Sequence, residues 1–291
     1  NWGKMIKRSR DVAKRLSKGI EFLMKKNKID YIPAFGKLLD GTTIETTDAD
    51  GKKTQLKAEK IIIATGARAK YFPGMEPDGK QIITYKEAMI PENQPKSLVI
   101  IGAGAIGVEF AHFYQTFGTE VTIIEALPNI LPVEDEDISV ELEKLFKKRK
   151  MNILTNTMVE KIEKLKSSVK VHLNSGDIVE ADKALIAVGV QGNVEDLGLE
   201  ECNIAVEKGW IKVNEYLETS LAGVYAIGDV AGPPWLAHKA SAEGIIASEH
   251  VAGLNPDPMK YDNIPGCTYC HPEVASVGLT EKVAKEKGYE V

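Results

Sequence analysis

Ser97-Leu98-Val99-Ile100-Ile101-Gly102-Ala103-Gly104-Ala105-Ile106-Gly107 is the stretch whose reading decides the fold. An apolar run of strand length enters a glycine-rich turn. A helical stretch over 108–117 follows, closed by Gly118, and Glu120-Val121-Thr122-Ile123-Ile124-Glu125 reads as the next strand. Together they predict a βαβ unit of about 30 residues. The three glycines differ in what they allow. Gly102 permits the tight turn, Gly104 leaves no side chain to block a pyrophosphate, and Gly107 lets the helix pack on the strand. Ala103, Ala105, Ile106, Val108 and Glu109 complete the loop and the first helical turn, whose free N–H groups and dipole favour phosphate. Glu125 closes the second strand about 20 residues on, where a carboxylate accepts from both hydroxyls of an adenosine ribose. A 2′-phosphate would meet that carboxylate as a like charge, so NAD is favoured over NADP. Without a ligand, the same stretch reads as a glycine-rich helix start.

Working outward, the 291 residues carry 37 Lys+Arg against 42 Asp+Glu, a formal net charge of −5, with 43% apolar and 27% charged residues. This is the composition of an ordinary globular protein, and the length suits about two domains. No apolar run approaches the ~18 residues that span a bilayer, so no membrane role is expected. The acidic balance gives no general reason to bind nucleic acid. Trp2, Met5, Ile6, Val12, Ala13, Leu16, Ile20 and Leu23 form an apolar stripe at helical period. The lysines and arginines beside it have no interleaved aromatics and read as a solvated helix face rather than a nucleic-acid or membrane surface. Three cysteines cannot build a disulfide framework, which points to a reducing compartment. The chain opens on Asn1-Trp2-Gly3, without an initiator Met or a secretory signal, and ends on Glu290-Val291 behind a helix-like Lys282–Lys287. The expectation is a piece of a longer protein.

Residues 30–59 alternate short apolar and polar runs around Asp40-Gly41 and Asp50-Gly51, which predicts a small antiparallel meander. Three apolar strands end in glycine, at Ile61–Gly66, Leu185–Gly189 and Val224–Gly228. In doubly wound sheets such tips face ligands, so more than one cofactor crevice is expected. Pro91-Glu92-Asn93-Gln94-Pro95 is the clearest linker, with softer boundaries near 214–221 and 253–261.

Four motifs occur in order: Ala64-Thr65-Gly66-Ala67, the Gly102–Gly107 loop, Ala226-Ile227-Gly228-Asp229, and Leu236-Ala237-His238-Lys239-Ala240. This order resembles the flavin-dependent pyridine nucleotide–disulfide oxidoreductases, and the resemblance spans essentially the whole chain. The Leu-Ala-His-Lys-Ala form, Glu125 and the stretch His271-Pro272-Glu273-Val274-Ala275-Ser276-Val277-Gly278 look most like the branch that oxidises dihydrolipoamide.

The resemblance implies an α/β fold: a Rossmann-like NAD-binding domain (89–215) inserted in an incomplete Rossmann-like FAD-binding domain (1–88 and 216–258), then the start of an α+β dimerisation domain (259–291). Thr65, Gly66 and Ala67 resemble the strand tip at the adenosine side of FAD, with Gly36 nearby. Asp229 resembles the acid that holds a ribityl hydroxyl. Trp235, Leu236, Ala237 and His238 resemble the segment whose backbone meets the flavin ring. Val159 and Gly189 resemble further NAD contacts, and Glu109 a residue close to the isoalloxazine. Read without the resemblance, Asp229 is a helix N-cap, Glu109 a solvated helix residue and His238 a helix-start residue. The resemblance further implies a homodimer that passes electrons from dihydrolipoamide, or a lipoyl domain, through a redox disulfide and FAD to NAD. It also implies a place in a 2-oxo acid dehydrogenase or glycine cleavage complex, in cytoplasm or a mitochondrial matrix.

Three departures from the family pattern bear on activity. The redox-active Cys pair, the first FAD-binding glycine motif and the interface domain's catalytic His-Pro segment have no counterpart in this sequence. No residue is therefore assigned a catalytic role, and the chain alone is expected to be inactive. The family's Gly-Arg-x-Pro-Asn stretch reads Gly189-Val190-Gln191-Gly192-Asn193. Cys267-Thr268-Tyr269-Cys270-His271 fits a haem-attachment string or a metal cluster. In a β-rich setting, positions i and i+3 face opposite ways, so structural residues are expected instead, with no metal. Rival readings are an NADH oxidase, a glutathione- or mercuric-type reductase, or a non-enzymatic NAD-binding module.

Overall fold

A computed structural model describes all 291 residues, which gather into two compact units. One holds Asn1–Ser17, Ala69–Gly189 and Pro265–Val291; the other holds Lys18–Arg68 and Val190–Ile264.

The first unit is built on a parallel five-stranded sheet. Its spatial order is Ile82–Ile83, Lys183–Ile186, Ser97–Ile101, Glu120–Ile124, Asn152–Leu154. Beyond their polar first residues Ser97, Glu120 and Lys183, the central strands are almost entirely apolar because both faces are covered. Leu98 and Ile100 point into a core with Val108, Ala111, Tyr114, Leu142 and Phe146. Val99 and Ile101 point into an opposite core with Met75, Val169, Val171 and Leu173. The first core is the helix side. The second lies against an antiparallel sheet of Val159–Lys164, Val169–Leu173 and Ile178–Ala181. The helix after the glycine loop runs Ala105–Thr116, starting a turn earlier than the apolar pattern suggests, and Gly118 follows it with φ +92°. Tyr114 on this helix is fully buried and donates from its hydroxyl to Ala88 O at 2.8 Å.

In the second unit the expected meander is present as Phe35–Asp40, Thr43–Thr47 and Lys53–Lys57. Beside it, Ile61–Ile63 pairs in parallel with Val224–Ala226. Leu38, Ile61, Ile63, Leu197, Ile211, Val224 and Val230 form the shared core. The helix Ala237–Val251 follows the second of these strands.

The N-terminal segment is one helix, Trp2–Lys26. Its first residue packs on Phe113, Tyr114 and Phe117 at ring distances of 5.5–5.7 Å. Further along, Leu16, Ile20 and Leu23 of the apolar stripe are exposed. No helix is long and apolar enough to cross a membrane.

The first meander turn carries a pH-dependent contribution. The Asp40 carboxylate accepts from the Thr42 N–H, the Thr43 hydroxyl and the Thr42 hydroxyl, which lower its pKa from 3.8 to about 2. A carboxyl depressed in the folded state stabilises it above the unfolded value, and that stabilisation fades as pH falls from 3.8 towards 2. Asp40→Asn is therefore expected to lower the urea midpoint at pH 6. The gap to the parent should close over that acid window, and a gap independent of pH contradicts this account.

Candidate functional site

The glycine loop of the first unit has the geometry its sequence demands. Gly102 has φ +100°, and a Cβ there would lie 2.4 Å from Ala187 O. A Cβ on Gly107 would lie 2.0 Å from Gly102 O, so the helix could not sit on the loop. At Gly104 the equivalent position is open, with no atom within 4 Å. The glycines that close-pack the turn are thus distinct from the one that faces free space. The helical bonding begins with Val108 N–H to Gly104 O at 3.0 Å. The N–H groups of Ala105, Ile106 and Gly107 therefore precede the first helical hydrogen bond and stand at the positive end of the dipole. Not every amide of this corner is bare, however. Gly102 N donates to Ile124 O at 2.8 Å, and Ala103 N donates to the Glu125 carboxylate at 2.7 Å.

Glu125 is buried at 8% exposure. One oxygen accepts from Ala103 N and the other from Leu127 N at 2.9 Å. A buried carboxylate needs such donors to replace water. Glu125 thus ties the phosphate-type loop to the end of the neighbouring strand, and each of its oxygens has a further lone pair for a ligand hydroxyl. That tie connects groups 22 residues apart in sequence, and the acid's spacing alone does not reveal it. Glu109 is half-buried, and its carboxylate accepts from Tyr269 N at 2.8 Å. Val159 starts a strand and packs in the second core. Gly189 has φ +106°, and its carbonyl accepts from Lys70 N at 3.0 Å.

In the second unit, Gly66 has φ +71° and open space where a Cβ would stand. Thr65 before it is held by Asn193: Thr65 Oγ1 donates to Asn193 O at 2.8 Å, and Asn193 Nδ2 donates to Thr65 O at 2.9 Å. Arg68 donates to Asn193 Oδ1 at 3.0 Å and makes a two-pronged pair with Glu195. The atypical stretch ending in Asn193 therefore still braces the strand tip. Ala67 begins the strand Ala67–Ala69, and Gly36 lies in the meander beside Ile44. Asp229 lies inside a 3-10 turn, Gly228–Ala231, whose N-cap is Ile227; the N-cap alternative for Asp229 does not hold. Trp235 is exposed and lies tilted against Trp210, with ring centroids 5.3 Å apart. Leu236 caps the helix that Ala237 and His238 open.

Two residues of this unit went unassigned in the sequence. Lys239 and Glu243 are both 1% exposed and form an ion pair at 3.1 Å. Their signal is the i,i+4 spacing that starts at Lys239 of the Leu236–Ala240 motif, but such spacing on a helix more often marks a solvent-facing pair.

The Cys267–His271 string does not run along one strand, as its β-rich setting led one to expect. Only Cys267 lies on the strand Gly266–Thr268; Cys270 sits in the bend beyond it. Its buried thiol donates to Pro272 O at 3.0 Å, and burial pushes its pKa up to about 11. Cys202 is likewise buried, and burial raises its pKa. No group of three or more His, Cys, Asp or Glu side chains is arranged to hold a metal.

Comparison with known proteins bears directly on this geometry. The family profile described as pyridine nucleotide-disulphide oxidoreductase matches residues 2–244. The chain belongs to this family. The profile of the family's dimerisation domain matches residues 264–291. Among curated proteins, the dihydrolipoyl dehydrogenase of Rhizobium etli is 46% identical, over 99% of this chain and 64% of its own length. That of Bacillus subtilis is 42% identical, over 100% of this chain and 64% of its own. Among solved structures, LpdA from Mycobacterium tuberculosis matches with a TM-score of 0.92 at 29% identity, over 98% of this chain and 63% of that one. The HOCl-induced flavoprotein disulfide reductase RclA from Escherichia coli matches with a TM-score of 0.89 at 28% identity, over 98% of this chain and 65% of that one. The chain thus spans less than two thirds of the length of these relatives.

Proposed function

We propose that the protein carrying this chain is a dihydrolipoyl dehydrogenase that binds NAD at the Gly102–Gly107 loop and FAD at the Thr65 and Asp229 tips. The observation that carries the NAD assignment is the Gly104 cradle: open space at a helix N-terminus, bounded by Glu125. The donor set suits a dinucleotide, with main-chain N–H groups for the diphosphate and a buried carboxylate for a ribose diol. Gly66 likewise leaves open space, here at a strand tip, and Asp229 offers a carboxylate suited to a sugar-like hydroxyl. In this reading the unit built around the glycine loop serves NAD and the unit of Lys18–Arg68 and Val190–Ile264 serves FAD, with 264–291 beginning the dimer-forming domain. Bound FAD supplies the two-electron link between a thiol substrate and nicotinamide. The residues of this chain bind and orient; its buried, high-pKa thiols Cys202 and Cys270 are unsuited to exchange. In this reading neither of these two thiols serves the redox step, and the substrate is dihydrolipoamide or a lipoyl domain.

The test uses the purified intact protein. It should show the yellow flavin band and reduce NAD⁺ when given dihydrolipoamide. Absence of the flavin band would leave an NAD-binding module. A flavin band with NADH oxidation but no lipoamide turnover would favour the NADH oxidase or other disulfide reductase reading.

A further inference from the structure

The Lys239–Glu243 pair stands where helix physics disfavours it. Lys239 is in the first turn of Ala237–Val251, at the positive end of the helix dipole, and is 1% exposed. A buried ammonium persists only when its protons are matched by acceptors. Here its Nζ donates to Gly228 O at 2.9 Å, Gly232 O at 3.0 Å and Glu243 Oε2 at 3.1 Å, so all three ammonium protons find acceptors. Glu243 returns to the same segment, because its Oε2 also accepts from Gly228 N at 2.7 Å. Its Oε1 accepts from the Tyr261 hydroxyl at 2.8 Å. Gly228 is therefore gripped at both its N–H and its carbonyl, and Gly232 at its carbonyl. Both glycines have positive φ, +72° and +104°, so nothing in their own conformational preference fixes the turn. Asp229 lies between them.

We propose that Lys239 and Glu243, closed by Tyr261, are positioning residues that clamp the Gly228–Gly232 turn and so fix the direction in which Asp229 presents its carboxylate to a ligand hydroxyl. The identity of that ligand as FAD rests on the reading above; the clamp itself rests on the hydrogen bonds alone. The pair is neutral as a unit, so it immobilises the turn without opposing the charge of Asp229.

The test is a double-mutant cycle in the intact protein, stripped of flavin and titrated with FAD, with NADH affinity and amide exchange over 226–232 measured alongside. Lys239→Met should speed exchange in the turn and weaken FAD about 10-fold, while changing FAD affinity less than about 2-fold in an Asp229→Ala background. Tyr261→Phe, a milder change on a partly exposed ring, should shift exchange and FAD affinity in the same direction by a smaller factor. NADH affinity should stay within about 2-fold throughout, as general damage to the fold would not allow. Equal losses of FAD affinity in both backgrounds, or unchanged exchange in Lys239→Met and Tyr261→Phe, overturn the proposal. An Asp229→Ala protein that binds FAD as tightly as the parent removes the ligand assignment and the clamp's purpose with it. That failure is distinguishable, since exchange in the flavin-free protein reports the clamp without reference to FAD.

Discussion

Gly104→Ala is expected to weaken NADH binding strongly while leaving stability nearly unchanged, whereas Gly107→Ala should weaken both. The two glycines lie three residues apart and are equivalent to a motif search, but they face different surroundings. Gly104 has φ −69° and ψ −178°, which alanine adopts freely, and its added Cβ would meet nothing within 4 Å. The stability cost should stay within about 1 kcal/mol, chiefly from a poorer helix cap. The methyl would, however, occupy the open space that the proposed diphosphate requires, and NADH affinity should fall roughly 100-fold or more, about 2.7 kcal/mol. On Gly107 the same methyl lands 2.0 Å from Gly102 O and 3.3 Å from Ile100 Cγ2. The first of these is main chain that cannot swing aside. The helix must lift from the strand, at a cost of about 3 kcal/mol and with loss of the cradle. Isothermal titration with NADH and chemical denaturation of each variant check the pair. If Gly104→Ala binds NADH as the parent does, the diphosphate does not lie over this loop.

Removal of the Glu125 carboxylate should be the next largest effect. Glu125→Ala strands the buried Ala103 N–H and also frees Leu127 N, costing about 2 kcal/mol in stability. It also removes the proposed ribose acceptor, so NADH should bind roughly 10- to 100-fold more weakly, through lost contacts and a loosened loop. Glu125→Gln keeps the shape and one acceptor oxygen, but one amide must then face the –NH2 group, so its stability should fall between the two. Both variants lose the negative charge that opposes a 2′-phosphate, so the NADH-to-NADPH affinity ratio should drop in each. A ratio that stays at the parental value in both variants would show that the adenosine ribose lies elsewhere.

The sites were unevenly legible. The βαβ unit could be read because its signal is local: an apolar run with glycines and a charge at fixed spacings, each demanded by backbone sterics within about 30 residues. The meander and the glycine-ended strands were legible for the same reason, and the positive φ of Gly66, Gly189 and Gly228 fits close backbone approach at each tip. Partnerships across long separations were not. Glu109 with Tyr269, Thr65 with Asn193, and Arg68 with Glu195 join residues more than 120 positions apart. No periodicity records them. Cys270 shows the converse, since a strand rule predicted its direction and a bend beyond the strand set it instead.

For this protein, chain order alone indicated the βαβ unit, the meander and the turn that can receive a diphosphate, because β-branched residues restrict the backbone and glycine frees it wherever they occur. Folding alone decided which polar groups are buried together. Glu125 became a tie across the loop, and Lys239 became the three-way donor beneath Gly228–Gly232. The physical reason is that a charged side chain is neutral information until burial removes water, and only the tertiary structure supplies the partners that then replace it.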